Sequence, residues 1–362
     1  MLRPAKSRRD GMRLRIQFAA ALLFVFFSCK VGMGAKADDK SEPYNYFREY
    51  AGLNAEQIQS ISNGKALAKV LDAGSADQIV VFGAVHISST PESYLKFASD
   101  IDALRKLPSY LAIRKFSNPP MLSDLDGFTL EEEDVKQLKD CKPGHCEIQL
   151  PAESMEEFQK SVNWSAPDVA DQANRLARQM ALEAILQYQK GGNAALGTYR
   201  DKNHPAAVAE TFESLLSRSK ALRLYLPDLN NYLLEYPSAI STNIQSEFYW
   251  EKVNFGLKPT LRMVQAIIYR GTVLTEPAYA VAVKQLYSSH YFEAALDLTI
   301  CLDDTRSPDR PDFFLITLKS SQQAGLTGLK GRIVRKVAVD KTRSSLERAL
   351  ASIKQKLEAP TG

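Results

Sequence analysis

The last third of the chain carries the pattern that most restricts its fold. Five strand-like segments follow one another there, separated by turn-rich stretches, and an amphipathic helix pattern ends the series. The predicted strands span residues 260–270, 278–287, 292–302, 313–319 and 331–339, and the helix spans residues 340–358. Strands joined by short turns pair in antiparallel fashion, and their apolar face needs a cover. The pattern therefore predicts an antiparallel sheet that curves around one long C-terminal helix.

The part of the chain before these strands divides into a strand-rich zone and a helix-rich zone. Strand patterns occupy residues 65–72, 79–88 and 111–117, and Thr90-Pro91 is typical of a helix start between the second and third strands. Helix patterns then occupy residues 129–140, 153–162, 165–189, 205–217 and 222–236.

The early strands need further partners, because a three-stranded sheet with one helix would leave an apolar face uncovered. We therefore expect an α+β protein in which residues 64–118 and 246–358 form one discontinuous sheet-and-helix domain. A mainly helical insertion, residues 119–245, interrupts this domain. An N-terminal segment, residues 38–63, precedes it, and a short tail, residues 359–362, follows it.

Two segments resemble the ends of a START-like, or helix-grip, domain. They are IVVFGAVHISSTPESYLKFASDIDAL at residues 79–104 and GLTGLKGRIVRKVAVDKTRSSLERALASIKQKLE at residues 325–358. In that superfamily a curved antiparallel sheet and a long C-terminal helix enclose an apolar cavity. Most members bind lipids, sterols or other hydrophobic molecules, and some act as cyclases. The resemblance covers residues 64–118 and 246–358, and it implies a cavity rather than a particular reaction; the helical insertion departs from a minimal member.

The N-terminus has the layout of a bacterial export signal. A basic segment, residues 1–17, precedes the apolar run of residues 18–27, and Ala35-Lys36-Ala37 supplies small residues at a cleavage site. This predicts a periplasmic or secreted protein cleaved near Ala37. The apolar run is shorter than the roughly 20 residues that cross a bilayer as a helix, so no permanent transmembrane anchor is expected. Lipidation of Cys29 is an alternative.

The basic charge of the chain belongs mainly to this signal. The full sequence has a net charge of +4, but residues 1–37 hold eight basic side chains and one acidic side chain, which leaves −3 for the mature protein. Such a charge gives no broad electrostatic footprint for nucleic acid. Nucleic-acid binding is therefore disfavoured, and protein partners are not specified by the sequence.

Cys141 and Cys146 enclose a turn sequence, Lys-Pro-Gly-His, that favours a short-loop disulfide in an oxidising compartment. Zinc binding through both cysteines and His145 is the alternative, but a fourth ligand at the usual spacing is missing. Cys301 stands alone. We therefore expect neither a metal nor another cofactor.

The candidate ligand contacts combine apolar wall residues with polar residues around the SSHYF segment. They are Trp250, Met263, Ile267, Lys284, Tyr287, His290, Tyr291 and Leu350. His290 is also explained as a hydrogen-bonded residue at a strand end. The histidines lack metal spacing and the chain lacks a nucleophile elbow, so the sequence predicts no catalytic residue.

Together these features favour an exported protein that binds or carries a hydrophobic, lipid-like molecule. A non-catalytic envelope protein whose sheet is packed by its own side chains is the first alternative, and an enzyme of unknown reaction is the second. An open apolar cavity would favour the carrier, whereas a filled core would favour the structural protein.

Overall fold

Helices cover both faces of one large antiparallel sheet. The computed structural model describes residues 44–359, apart from residues 108, 240, 255–257, 274–275, 305–309, 324 and 327. The predicted signal with Cys29 and Ala37, the first residues of the N-terminal segment, and tail residues 360–362 lie outside the described residues.

The sheet has eight strands, and every pair of neighbours is antiparallel. The strands are β1 (Leu67–Leu71), β2 (Gln78–Ser88), β3 (Tyr110–Lys115), β6 (Ile244–Val253), β7 (Thr260–Val273), β8 (Glu276–Ser288), β9 (Ala294–Asp303) and β10 (Asp312–Gln322); a separate two-stranded ribbon holds β4 (Thr198–Tyr199) and β5 (Ala206–Ala207). Their spatial order is β1-β2-β10-β9-β8-β7-β6-β3. Strands from the first and last parts of the chain thus share one sheet, which does not close into a barrel.

The helices lie before, between and after these strands. They are α1 (Ala55–Ser62), α2 (Pro91–Ser99), α3 (Ile101–Arg105), α4 (Glu132–Leu138), α5 (Ala152–Ser161), α6 (Val169–Gly191), α7 (Val208–Arg218), α8 (Lys220–Tyr225), α9 (Pro227–Glu235) and α10 (Gly328–Leu357). Thr90 caps α2 and Pro91 begins it, as the sequence predicts.

Alternating side chains give the sheet two apolar faces. One face, which we call the insertion face, includes Phe82, Ala282 and Leu298 and is covered by α1 and α4–α9. The opposite face, which we call the α10 face, includes Val81 and Val281 and is covered by α2, α3 and α10. The α+β class, the antiparallel sheet, the helical insertion and the long C-terminal helix are therefore confirmed, and the arrangement is compatible with a helix-grip fold.

The prediction of a strand at residues 331–339 is wrong, because this segment forms the beginning of α10. Its β-branched residues suggested a strand, yet Ile333, Val334 and Val337 are exposed on the helix. Local strand propensity is weak when no sheet partner reinforces it. Leu346 and Leu350 are instead buried further along the same helix, and the helix continues through the whole segment.

Strand β6 was not among the predicted strands. Its charged residues obscure the alternation of apolar and polar side chains, but Glu251 and Arg262 are paired across β6 and β7 and form a buried ion pair of 3.0 Å. Burial raises the pKa of the Glu251 carboxyl, and the Arg262 charge opposes that rise. A charged strand residue can therefore be part of the interior when its partner lies in register on the next strand.

Candidate ligand-binding cavity

An apolar cavity of about 310 Å³ lies on the insertion face, between helices α5 and α6 and strands β7 and β8. Most of its wall consists of aliphatic and aromatic side chains, among them Phe128, Leu138, Ile148, Phe158, Ala177, Ala181, Ile185, Tyr188, Tyr199, Leu261, Met263, Leu286 and Tyr287. Its volume falls at the lower end of the roughly 300–1,000 Å³ typical of small-molecule sites.

The cavity exists because α6 presents small side chains to the sheet. Ala177 and Ala181 are buried and line the space where larger residues would fill the gap between helix and strands. Helix α6 ends at Gly191, and Gly192 follows with φ +58°. A Cβ atom at Gly192 would lie 1.7 Å from the carbonyl oxygen of Tyr236, so this close turn requires glycine.

The mouth of the cavity lies between α5 and α6. Its polar residues are Glu153 and Ser154 on α5 and Glu183 and Gln187 on α6. Glu153, Glu183 and Gln187 are exposed. A ligand can therefore approach from solvent between the two helices and reach an apolar interior.

Two buried polar residues, Lys284 and Gln265, lie next to residues of the cavity wall without lining the cavity themselves. Met263 and Leu286 form part of the cavity wall, and Gln265 and Lys284 are two positions further along the same strands. Residues two apart in a strand face the same side. Tyr188 connects the two regions, because it lines the cavity and its hydroxyl accepts a 2.9 Å hydrogen bond from Lys284 Nζ.

Lys284 is fully buried, and neutral groups surround its amine. Lys284 Nζ donates to the Tyr188 hydroxyl and to Asn193 Oδ1, and it lies 4.3 Å from the centre of the Phe212 ring. Among the described residues, no carboxylate forms an ion pair with this lysine. Burial lowers the pKa of Lys284 to about 7, because the charged ammonium is poorly solvated there.

A second buried cluster joins the helical insertion to the strand ends. Asp134 on α4 contacts His290 Nε2 at 3.0 Å and forms an ion pair with Lys258 Nζ. The other ring nitrogen, His290 Nδ1, lies 3.2 Å from the carbonyl oxygen of Glu147. Both ring nitrogens of His290 therefore face acceptor oxygen atoms.

The pKa of Asp134 reflects this environment. Burial disfavours its charged form, but the hydrogen bonds and charges of His290 and Lys258 outweigh burial and hold the pKa of the carboxyl below its usual range. The cluster therefore contains an ionised carboxylate between the His290 ring and the Lys258 side chain. The side chains of the cluster contact one another. His290 is therefore a hydrogen-bonded residue at a strand end, which is one of the two explanations that the sequence offered.

The predicted ligand contacts separate into several places in the structure. Met263 and Tyr287 line the cavity, and Lys284 lies directly behind it. Trp250 instead donates from Nε1 to the carbonyl oxygen of Asp124, 2.7 Å away. The Tyr291 hydroxyl accepts a 3.0 Å hydrogen bond from the backbone N–H of Lys258.

The other two predicted contacts are apart from the cavity wall. Ile267 lies on the insertion face, but in the apolar cluster that α7–α9 cover. Leu350 lies on the α10 face, where a Cβ atom at Gly83 would come within 2.8 Å of both Leu346 and Leu350. Helix α10 therefore packs directly on β2 at this point, and Leu350 and Met263 belong to opposite faces of the sheet.

The predicted disulfide between Cys141 and Cys146 is present, with sulfurs 2.04 Å apart. Backbone N–H groups of Gly144 and Cys146 donate to the carbonyl oxygens of Arg200 and Asp201. The bridged turn thereby connects to the segment that carries Tyr199 in the cavity wall. Cys301 is buried and unpaired.

The part of the chain that the structure describes contains no group of three or more His, Cys, Asp or Glu side chains arranged to hold a metal ion. Within the same residues, no helix combines the length and apolar character that crossing a membrane requires.

The chain matches no protein-family model and shows no significant similarity to a curated protein. The cavity and the side chains around it are therefore the features that point to a function.

The sequence did not indicate that Tyr188 lines the cavity or that Gln265 and Asn193 lie beside Lys284. It also did not indicate that Asp134 is the partner of His290. Tyr188 lies within the helix pattern predicted for residues 165–189. A usable signal was present in α6, where alanine recurs at helical spacing among larger residues facing a sheet. Small residues at such positions leave space between the two layers.

Proposed function

We propose that this protein binds a hydrophobic small molecule reversibly, in the cavity between α5–α6 and β7–β8, and performs no chemistry on it. The observation that carries the proposal is a predominantly apolar cavity of about 310 Å³ with a polar mouth between two helices. Burial of apolar ligand surface supplies the affinity at such a site, and a few polar groups orient the ligand.

The position of the cavity refines the carrier hypothesis. A START-like assignment places the ligand between the sheet and the C-terminal helix, but contact between Leu350 and Gly83 fills part of that interface. We also propose that the sheet and the C-terminal helix form a START-like domain, and the order of the elements supports this. In this proposal the helical insertion supplies the binding site, because it is the insertion that leaves a gap on the opposite face.

Filling the cavity should abolish ligand binding. Ala181→Trp places an indole ring in the space that Ala181 borders, so affinity for the neutral fluorescent probe N-phenyl-1-naphthylamine should fall by about tenfold or more. Gln179→Trp is the matched control, because Gln179 is an exposed residue of the same helix. Fluorescence titration measures the affinities, and circular dichroism verifies that both variants are folded. A folded Ala181→Trp protein with unchanged affinity, or a wild-type protein that binds no probe, contradicts the proposed site.

We also propose that the protein is exported and acts in the periplasm or outside the cell. The basic and apolar segments before Ala35-Lys36-Ala37 support this location, and the Cys141–Cys146 disulfide fits an oxidising compartment.

N-terminal sequencing of the protein isolated from the cell envelope should return a start at Asp38. The expected cleavage follows Ala37, where small residues occupy the positions that a signal peptidase recognises. A lipid-modified start at Cys29 would establish the lipoprotein alternative instead. A start before Phe18 would contradict cleavage of the signal.

A further inference from the structure

Lys284 and Gln265 carry two hydrogen-bond donors side by side next to the hydroxyl of Tyr188, whose side chain lines the cavity. They are directly opposed on β8 and β7, on the insertion face, and both are almost completely buried. The Gln265 Oε1 atom accepts a 2.8 Å hydrogen bond from the Tyr188 hydroxyl, but Gln265 Nε2 has no hydrogen-bond partner among the described residues. A buried donor without an acceptor is costly, so its position favours an additional acceptor there.

The same location lacks a negative charge. Lys284 Nζ is surrounded by the Tyr188 hydroxyl, the Asn193 amide oxygen and the Phe212 ring, which are all neutral. Buried ammonium groups in proteins are normally paired, because solvation by neutral dipoles and aromatic faces replaces water only in part. An anionic group that enters with a ligand would stabilise the charged form of Lys284.

We infer that the ligand is a monocarboxylate with an apolar chain, bound with its carboxylate at Lys284 and Gln265 and its chain in the cavity. This inference rests on the proposed function, and it specifies the chemical class of the ligand. A carboxylate supplies one negative charge and several acceptor sites, which match one ammonium and one unpartnered amide N–H. A phosphate head group would bring up to two negative charges to a single cation.

Tyr188 lies between the apolar cavity and the Lys284 amine. Its ring lines the cavity and stacks on Tyr236 with ring centres 5.2 Å apart, while its hydroxyl contacts Lys284. In the complex that we infer, the Tyr188 side chain rotates so that the cavity opens towards the Lys284 amine. The ligand carboxylate then replaces the Tyr188 hydroxyl as the acceptor of the hydrogen bond from Lys284 Nζ.

The test compares dodecanoate with dodecanol, which share a chain length and differ in the head group. Displacement of N-phenyl-1-naphthylamine gives both affinities, at about 0.15 M salt to screen Glu153 and Glu183 at the mouth. Wild-type protein should bind dodecanoate about tenfold or more tightly than dodecanol, since a charged hydrogen bond contributes that much selectivity. Lys284→Met should remove this preference, and its affinity for dodecanol should stay within about twofold of the wild-type value. Lys190→Met, at an exposed lysine on α6, should behave as wild type.

The pH dependence provides a second measurement that needs no variant. Lys284 has a pKa of about 7 and loses its charge as pH rises, so dodecanoate affinity should fall between pH 6 and pH 9, by up to about tenfold per unit. The titratable groups next to the amine are Tyr188 and its neighbour Tyr236; burial raises the pKa of both, and the other contacts are neutral. Both tyrosines therefore stay uncharged in this range, and dodecanol affinity should remain constant.

The outcomes separate the two proposals. Equal affinities for acid and alcohol, with no effect of pH, would overturn the carboxylate inference while the apolar cavity stands. A folded Lys284→Met protein that keeps the acid preference would overturn it as well. Failure of wild-type protein to bind the probe, the acid and the alcohol would instead contradict the proposed function.

Discussion

Asp134→Asn should lower the free energy of unfolding by about 3–5 kcal/mol at pH 7, the usual cost of removing one partner from a buried charge cluster. The substitution keeps the size of the side chain but removes the charge that His290 and Lys258 face. Since the cluster joins α4 to the ends of β7 and β8, the loss should affect the helical insertion most strongly. Urea unfolding followed by tryptophan fluorescence and circular dichroism measures the change.

Asp171→Asn is the matched control, because Asp171 is an exposed aspartate on α6. Its effect should stay within about 0.5 kcal/mol.

The low pKa of Asp134 adds a pH test. The ionised form of Asp134 stabilises the fold above the unfolded-state pKa, and this contribution disappears as pH falls through the lower folded-state pKa. The difference between wild type and Asp134→Asn should therefore be complete at pH 7 and shrink below about pH 4. A difference under 1 kcal/mol at pH 7, or one that grows in acid, contradicts the role assigned to Asp134.

Leu350→Ala should cost about 2–5 kcal/mol, because it leaves a cavity in a tightly packed interface. Leu350 is almost completely buried where α10 packs on the backbone of Gly83. The loss of contacts should be large because Gly83 has no side chain that could move into the space. Chemical denaturation gives the change in free energy of unfolding.

Leu357→Ala provides the comparison on the same helix, since Leu357 is only half-buried, and it should cost less.

Gly83→Ala tests the same interface from the sheet side. Its Cβ would lie 2.7 Å from Leu346 and 2.8 Å from Leu350, so overpacking should destabilise the protein by about 1–3 kcal/mol. Combining Gly83→Ala with Leu350→Ala should cost less than the sum of the single changes, because the second relieves the crowding of the first. Strict additivity would show that α10 is not seated on Gly83.

The two faces of the sheet have different physical roles. The α10 face is packed closely at Gly83, and its packing should govern stability. The insertion face leaves a cavity beside the alanine surface of α6, and the residues there should govern ligand binding. A substitution such as Ala181→Trp should therefore separate binding from folding, whereas Leu350→Ala should affect folding first.

The amino-acid sequence by itself determined the kinds of element in most of the chain. Apolar periodicity predicted β2, β7, β8, β9 and β10 and the helices between β3 and β6, because side-chain spacing in strands and helices is a local property. The Pro-Gly turn between Cys141 and Cys146 likewise predicted the disulfide within a short segment. These features need only neighbours within a few residues.

Only the tertiary structure decided where the site lies. The pattern at residues 331–339 fitted a strand, but this segment is the beginning of helix α10. A strand that is apolar on both sides does not reveal which face each side chain joins, so Leu350 and Met263 could be placed on one cavity wall although they lie on opposite faces. Lys284 and Tyr188 are 96 residues apart, and His290 and Asp134 are 156 apart. Such pairs form only when helices from the insertion pack onto a particular strand register, because a local pattern carries no information about which distant surface will cover it.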